Sequence, residues 1–587
     1  MLRARFSESF VGTVLRYRSE IDGLRAIAVI PVIMFHAGYS LFSGGFVGVD
    51  VFFVISGYLI TRIILGELDE GRFSLVNFYE RRARRILPAL FLVIFVTTAF
   101  SFLILSPLQL VSYFDSVVAT STYWSNIFFW RQTNYFGGAA EFEPLLHTWS
   151  LSIEEQYYLI YPVFMLLFWR LGKRNIVGVL GAAFVVSFGI GQWGSGAYPH
   201  ASFYLLITRG WELLVGAFIA LYLHRRSADP VAGLYTQIGS IIGLGMIVVS
   251  VFAFSSDTPV PSVYTLLPTV GTALVILFAV NGTFVNRVLS IRALVGVGLI
   301  SYGAYLWHQP ILAFGRHLDW VDSGIAFAVP VGVLVLILSY ISYRYVERPF
   351  RNRSVVSARV VWFAAVASVL VFVGLSAATS MNDGFRGRFD SSSFAFLDDV
   401  EDNGEYVPLG FRSVEGAEFE VEGLGDKRRI VLVGDSFAMD VVNALQEGGS
   451  LDSIALSTHH ISARCGNLYL DYSILDEVDS TDKGRCEREG WYTPETVELM
   501  RGADEIWLAS SWNEDHLVRL DESLTNLERD FSASVVLFGT KLFWDGDKTF
   551  SQILDVFEDG DVVSVPDSAV EINQELQRIA ESVNVTF

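Results

Sequence analysis

The sequence predicts a polytopic α-helical membrane domain of about eleven spans, followed by an extracytoplasmic α/β domain. Three observations lead there. Of 587 residues, 52% are apolar and 14% aromatic, with a mean hydropathy of +0.44, so the chain is too apolar to be soluble and too long for one domain. The formal charge of −20 is uneven: from Met381 onward there are 43 acidic and 16 basic residues, and before it 19 and 26, so a front of +7 precedes a back of −27. After Arg428 the long apolar runs give way to short strands alternating with helices, the pattern of a parallel sheet.

The first 20 residues carry Arg3, Arg5, Arg16 and Arg18 but no continuous apolar core or small-residue cleavage site, and read as a cytoplasmic amphipathic lead-in. Apolar windows of spanning length follow at about 24–40, 46–66, 86–106, 153–169, 175–192, 204–223, 236–254, 264–280, 295–314, 324–342 and 360–380. Loop charge tests the count, because inside connections are rich in Lys and Arg. With the N-terminus inside, these hold Arg72, Arg81, Arg82, Arg84 and Arg85; Arg170, Lys173 and Arg174; Arg225 and Arg226; Arg287 and Arg292; and Arg344, Arg348, Arg351, Arg353 and Arg359. The outside connections hold only Arg131 and Arg316. One span more or fewer would put basic loops on both sides. Residues 107–152 are long for a loop and contain an amphipathic, aromatic middle, expected to be a packed segment that does not span. The chain therefore divides into a membrane domain over 1–350, a last span and polar linker over 351–425, and an α/β domain over 426–587. No pattern suggests nucleic-acid binding, since the basic clusters stand beside spans, and no metal is expected.

Within the apolar front, a sparse set of polar residues stands out. Asp22 and Arg25 open the first span, and His36 lies about 16 Å beyond Arg25 along a helix. An ionisable residue at that depth is a candidate site residue, although a lone histidine also serves to hydrogen-bond a neighbouring helix. Arg25 suits an anionic phosphate at the inner surface. The run ERRARR, Glu80 to Arg85, is a concentrated positive face that by itself reads equally as a stop signal beside a span. In SLSIEEQYYL, Ser152, Glu154 and Glu155 stand where a helix is expected to begin, so Ser152 fits a cap and the carboxylates fit its dipole. Arg209 and Glu212 are spaced to pair on one helix face. Trp307 and His308 precede Pro310, a normal way to end a span.

The segments DGLRAIAV with the Arg25–ten residues–His36 spacing, GGFVGVDVFFVISGYLIT, ERRARRILPAL, LLHTWSLSIEEQYYLIYP, SYGAYLWHQPIL and VERPFR together resemble the acyltransferase-3 family, membrane enzymes that acylate carbohydrates. The resemblance covers roughly the first 350 residues. It implies His36 as the base that activates a sugar hydroxyl, with Asp22 and Arg25 in support. It also implies Arg25, Arg82 and Arg85 as contacts for acyl-CoA, most simply acetyl-CoA, and a second polar cluster from the Ser-x-x-Glu pair Ser152 and Glu155.

In the acidic back, RIVLVGDSFAMDVV reads as a strand, a tight turn and a helix, with Asp435 and Ser436 at the turn. Behind an acyltransferase-3 unit it resembles the nucleophile block of SGNH hydrolases, which implies Ser436 as nucleophile and, after the strand EIWLASSW, Asn513 as an oxyanion donor. The Asp-x-x-His block that supplies the base in those enzymes does not occur after Ser436. The domain is expected to be truncated or to have lost that chemistry, leaving His459, His460 and His516 as the only local substitutes. Cys465 and Cys486, the two cysteines, suit a disulfide in an oxidising compartment, while two free thiols fit the count as well.

The function expected is a membrane O-acyltransferase in a bacterial-type cytoplasmic (inner) membrane. It would move acyl groups from cytoplasmic acyl-CoA to a cell-surface glycan such as lipopolysaccharide or another polysaccharide. The alternative is a glycan or lipid-linked sugar transporter, for which charged residues inside many spans are also expected. No matching pair of broken helices supports it.

Overall fold

The computed structural model describes residues 17–135, 140–226, 231–255, 258–318, 320, 325–388, 411–417, 419, 427–447, 451–462, 465–475, 483, 486, 492–512, 514–539, 567–583 and 585–587. The chain forms two compact units, Met1–Arg386 and Gly387–Phe587.

The first unit is helical. In order come α1 (Ser19–His36), α2 (Gly48–Asp69), α3 (Leu75–Ile104), α4 (Pro107–Ser121), α5 (Ser125–Tyr135), α6 (Thr148–Phe168), α7 (Lys173–Ala197), α8 (Pro199–Tyr204), α9 (Leu206–His224) and α10 (Leu234–Ala253). They are followed by α11 (Leu266–Phe278), α12 (Phe284–Leu289), α13 (Arg292–His317), α14 (Ile325–Ser342), α15 (Arg348–Arg351) and α16 (Ala358–Met381). Each of the eleven apolar windows falls on a helix. Among the described residues seven helical stretches, containing α2, α3, α7, α9, α10, α14 and α16, are long and apolar enough to cross a membrane, which makes the protein a multi-pass membrane protein. The other four windows fall short for visible reasons: α1 carries Glu20, Asp22 and Arg25, α6 carries Glu154 and Glu155, α11 has only 13 residues, and α13 has a polar centre. The amphipathic segment after α3 forms α4 and α5, of 15 and 11 residues, shorter than the roughly 20 that cross a bilayer. On α7 and α16 the apolar side chains of Val185, Val186, Phe363, Val366 and Leu370 are exposed, as lipid-facing positions are.

α2 and α9 touch backbone to backbone, and small residues make this possible. A Cβ at Gly57 would lie 1.9 Å from the Leu213 carbonyl oxygen, and one at Gly216 would lie 2.1 Å from that of Val54. α16 packs on α3 through Phe372, whose ring meets Phe91 and Phe95. Two sequence expectations change here. α6 begins at Thr148, four residues before Ser152, so Ser152 is not a cap; it is buried inside the helix and its hydroxyl bonds Ser125 Oγ at 2.7 Å. Pro310 does not end a span, because α13 continues past it to His317.

The second unit holds β1 (Arg428–Gly434), α17 (Ser436–Glu447), β2 (Ile454–His460), α18 (Pro494–Gly502), β3 (Glu505–Ala509), α19 (Glu514–Leu517), α20 (Leu520–Asp530), β4 (Ser534–Leu537) and α21 (Asp567–Ser582). The four strands pair in parallel in the order β2-β1-β3-β4. In such a sheet the chain winds in opposite directions from β1 to β2 and from β1 to β3, which leaves a crevice beyond the carboxyl end of β1. Asp435 and Ser436 occupy that end. Most of the expected linker lies outside the described residues.

Candidate functional site

α1 runs the depth of the first unit and presents its two chemical residues to two clefts. The first cleft, with an empty volume of about 820 Å³, is lined by Arg25 of α1, Ser56 of α2, Arg82 and Arg85 of α3, Ser150, Glu154 and Tyr158 of α6, and Tyr302 and Tyr305 of α13. The second, of about 1420 Å³, is lined by His36, Asp50, His147, His200, Arg209 and a set of aromatic side chains, Phe35, Phe46, Trp149, Phe203 and Tyr204 among them. Val49 and Tyr305 line both clefts.

The arginines of α3 divide into two kinds. Arg84 is buried and spent: it bonds Glu80 at 2.8 Å and the carbonyls of Phe350 and Val356 at 3.0 and 2.7 Å. Arg81 pairs with Glu67 at 2.8 Å. Arg82 and Arg85, three apart and therefore on one face, turn into the first cleft, and the buried Arg82 Nε has no hydrogen-bond partner among the described residues. Arg25 joins them; its nearest carboxylate, Asp22, is 3.7 Å away and itself accepts the Tyr17 hydroxyl at 2.5 Å. Three guanidinium groups thus meet in one cleft with one carboxylate, Glu154, which accepts hydrogen bonds from Ser56 at 2.9 Å and Tyr158 at 3.3 Å. The arrangement suits an anion with several phosphates.

Of the Ser-x-x-Glu pair, Ser152 is tied to Ser125 and Glu155 is absent from the cleft lining; the carboxylate that lines it is Glu154. Leu151, Glu154 and Tyr158 are spaced three and four apart, so they share the helix face that α6 turns to the cleft, and Ser152 and Glu155 lie off it.

In the second cleft His36 donates its Nδ1–H to the Val32 carbonyl at 2.9 Å. Its Nε2 then carries the lone pair, as a general base requires. His308 makes the same kind of bond to the Tyr305 carbonyl at 2.5 Å, and its ring lies 5.2 Å from that of His36. Trp307 is structural by contrast, with its indole N–H on Ser342 Oγ at 2.8 Å. Arg209 is fully buried between Asp50 at 2.5 Å and Glu212 at 2.8 Å, with the rings of Phe53, Trp149 and Phe203 about it. Sequence reasoning anticipated the Arg209–Glu212 pair and missed Asp50, His147 and Tyr305. Asp50 and His147 carried a signal, since each is a charged or titratable residue inside a quoted apolar motif.

In the second unit Asp435 caps α17: one carboxylate oxygen accepts the Phe437 N–H at 2.8 Å, the other the Ser511 N–H at 2.7 Å. It therefore braces the turn at the ends of β1 and β3. Ser436 is exposed, and among the described residues no hydrogen bond joins it to His459, His460 or His516. His459 instead meets Thr496 Oγ1 at 3.1 Å, and His460 lies in register beside Gly434. Asn513 lies outside the described residues. Cys465 and Cys486 are joined in a disulfide. No group of three metal-ligating side chains occurs among the described residues.

Residues 18–344 match the acyltransferase-3 family, described as an acyltransferase domain. The chain is 32% identical over 359 residues to the peptidoglycan O-acetyltransferase OatA of Listeria monocytogenes, a match covering 58% of this chain and 57% of that protein. Two further relatives have names that carry the word putative. An O-acetyltransferase of Staphylococcus aureus is 30% identical over 73% of this chain and 75% of its own length. A peptidoglycan O-acetyltransferase of Bacillus subtilis is 31% identical over 58% and 55%. The chain thus spans little more than half the length of the Listeria and Bacillus proteins. No solved structure matches it. With more than half of its residues in that match, and with the Arg25–His36 helix and the arginine face of α3 meeting in adjoining clefts, the chain belongs to the acyltransferase-3 family of enzymes that transfer acyl groups.

Proposed function

We propose that the protein is a membrane O-acyltransferase, with acetyl the simplest acyl group, that takes its donor from cytoplasmic acyl-CoA and acylates a hydroxyl of a cell-surface glycan. The observation that carries this reading is the pair of adjoining clefts: Arg25, Arg82 and Arg85 line one, His36 lines the other, and Tyr305 and Val49 line both. The arginines receive the phosphates of CoA and so bring the thioester toward the shared wall. The aromatic side chains of the second cleft offer faces on which a sugar ring packs. There His36 Nε2 takes the hydroxyl proton, the oxygen attacks the thioester carbonyl, and the thiolate leaves and is protonated.

The distribution of basic loops favours an N-terminus in the cytoplasm, eleven spans and an outside second unit, and the Cys465–Cys486 disulfide agrees with an oxidising compartment. The names of the Listeria and Bacillus relatives make peptidoglycan the first acceptor to test. The second unit, which resembles SGNH hydrolases around Ser436, serves the membrane reaction by holding the acceptor, since Ser436 has no base bonded to it among the described residues.

The test is acyl-CoA consumption by membrane vesicles given a glycan acceptor. Free CoA thiol and acylated glycan should appear together, and should vanish in His36→Ala without loss of protein from the membrane. Glycan movement without thiol release would make the chain a transporter. Impermeant thiol labelling of engineered cysteines near Arg84 and Arg353 should require permeabilisation; labelling from outside would reverse the orientation.

A further inference from the structure

His36 is not alone. His308 of α13 and His147, the residue before α6, stand next to it: the rings of His36 and His308 are 5.2 Å apart, those of His308 and His147 also 5.2 Å, and Tyr305 touches both His147 and His308 at 5.4 and 5.3 Å. A separation of that size is spanned by an N–H···N hydrogen bond when two imidazole rings meet edge to edge. All three are drawn from different elements, so the cluster is a product of the fold.

The polar atoms of this cluster are left unused. Both nitrogens of His147 and the Nε2 of His308 are buried without a hydrogen-bond partner among the described residues. Buried polar atoms nearly always find a partner, so three such atoms in one cluster of rings call for a reason. The Nδ1–H of His308 is committed to the Tyr305 carbonyl, which leaves its Nε2 as an acceptor. His36 is in the same tautomer, bonded to Val32. In a catalytic triad a carboxylate accepts the N–H on the ring nitrogen opposite the base, and in His36 a neutral carbonyl, that of Val32, fills this place. Among the described residues no carboxylate is hydrogen-bonded to any of the three rings.

We propose that His308, with His147 behind it, is the positioning residue that supplements this neutral carbonyl, its unpartnered Nε2 accepting the N–H that His36 gains at Nε2 during turnover. This rests on the acyltransferase reading above. The acceptor O–H bond breaks and its proton goes to His36 Nε2, while the oxygen forms the new C–O bond. The C–S bond breaks with its electron pair on sulfur. In the interval the proton is shared between His36 Nε2 and His308 Nε2, with the free nitrogens of His147 adjacent. It is then delivered to sulfur as the thiol departs, and all three rings return to neutral.

The experiment uses the full chain in membranes, with acetyl-CoA as donor and thiol release as readout. His308→Asn keeps an N–H for the Tyr305 carbonyl but has no second basic nitrogen, and His308→Gln has none either. Each should lower kcat about 100-fold, within the usual range for proton-transfer groups, while KM for acetyl-CoA stays within about twofold. Imidazole added to His308→Gly should restore part of kcat. Wild-type kcat in His308→Asn would reduce His308 to a brace for α13 and overturn the proposal, as would a rise in KM matching the fall in kcat, or no rescue by imidazole. If the His308 variants do not accumulate, His147→Asn decides, because neither ring nitrogen of His147 is hydrogen-bonded among the described residues: a fall of about tenfold supports the cluster and an unchanged kcat overturns it. A wild-type chain that releases no thiol overturns the acyltransferase reading itself, and this proposal with it.

Discussion

The two units each present a residue of the kind that activates or delivers an acyl group, and they treat it in opposite ways. In the membrane unit α1, α2, α3, α6 and α13 converge on two adjoining clefts, where Arg82 Nε, Asp50 Oδ2 and both nitrogens of His147 are buried without a hydrogen-bond partner among the described residues, as is Nε2 of His308 beside His147. In the second unit the turn at Asp435 and Ser436 is satisfied, with both Asp435 oxygens on backbone N–H groups and Ser436 exposed. A fold that leaves polar groups buried without partners carries a cost of about 1–3 kcal/mol for each, and keeps them only where something else pairs with them. Buried polar atoms without a hydrogen-bond partner among the described residues also occur in the second unit, at Asn443, Ser457 and Ser510, but none of these is at Asp435 or Ser436, whereas in the membrane unit they include Arg82, Asp50 and His147 of the cleft linings.

The sharpest way to break this contrast is to remove one residue from each unit. His36→Ala should lower glycan acylation by about 1000-fold or more, and Ser436→Ala should leave initial thiol release within about twofold. A Ser436-dependent rate in the second unit expressed alone, read with an aryl acetate, would reverse the assignment and send the search to His459, His460 and the buried His516.

Next in size is the buried ion triad. Arg209→Met would leave Asp50 and Glu212 facing each other without a cation, at 2% and 0% side-chain exposure. Stranding a buried charge in this way costs about 3–5 kcal/mol, so the variant should fail to accumulate in the membrane, whereas Asp504→Asn in the second unit should accumulate normally.

Much of this was legible in the sequence, and the gaps have a common cause. The eleven apolar windows all fall on helices, and Arg25, Arg82 and Arg85, which the family resemblance implied, line one cleft while His36 lines the next. What was missed depends on contacts between distant segments. Asp50 reads as a blemish in an apolar span until α9 brings Arg209 to it across 159 residues. His147 and His308 are 161 positions apart in sequence and meet as rings. Ser152 and Glu155 were favoured because the family's Ser-x-x-Glu pattern maps onto them, whereas the carboxylate that lines the cleft is Glu154. The N-cap of α6, His147, makes no side-chain capping bond, so the local signal that marks a helix start was missing and the start was placed four residues late.

The disulfide gives the second unit an increment of its own. Cys465 and Cys486 are both buried and close a loop of 21 residues, worth about 3 kcal/mol in the chain-entropy picture. Cys465→Ser/Cys486→Ser should lower the melting temperature of that unit and leave thiol release at 25 °C in place. Loss of acylation at a temperature where the unit is still folded would tie the second unit to chemistry after all. Smaller again are the cleft arginines. Arg82→Ala and Arg85→Ala should each raise KM for acyl-CoA by about tenfold, the order of one charged hydrogen bond, with kcat kept. Arg84→Ala should instead reduce the amount of protein, since Arg84 ties α3 to residues 350–356.

The smallest expected effect comes from an ion pair with none of the burial of the Arg209 triad. Arg429 at the start of β1 bonds Asp504, just before β3, by its side chain at 2.6 Å and by its backbone N–H at 2.8 Å. These donors hold the Asp504 carboxyl at about 2, below the ordinary carboxylate range. The sign follows from that depression. Stabilisation is fully present above about 3.9, where an unfolded Asp is ionised, and is lost as pH falls through about 2. Both side chains are well exposed, so water and salt screen the pair and its contribution is slight. Thermal melts of the second unit should therefore show Asp504→Asn marginally below the wild type at pH 7, with the gap closing toward pH 2. A gap that persists unchanged at pH 2 would mean that the backbone hydrogen bond, which the amide oxygen of Asn retains, was distorted by the substitution, and that charge had no part in joining β1 to β3 at this corner.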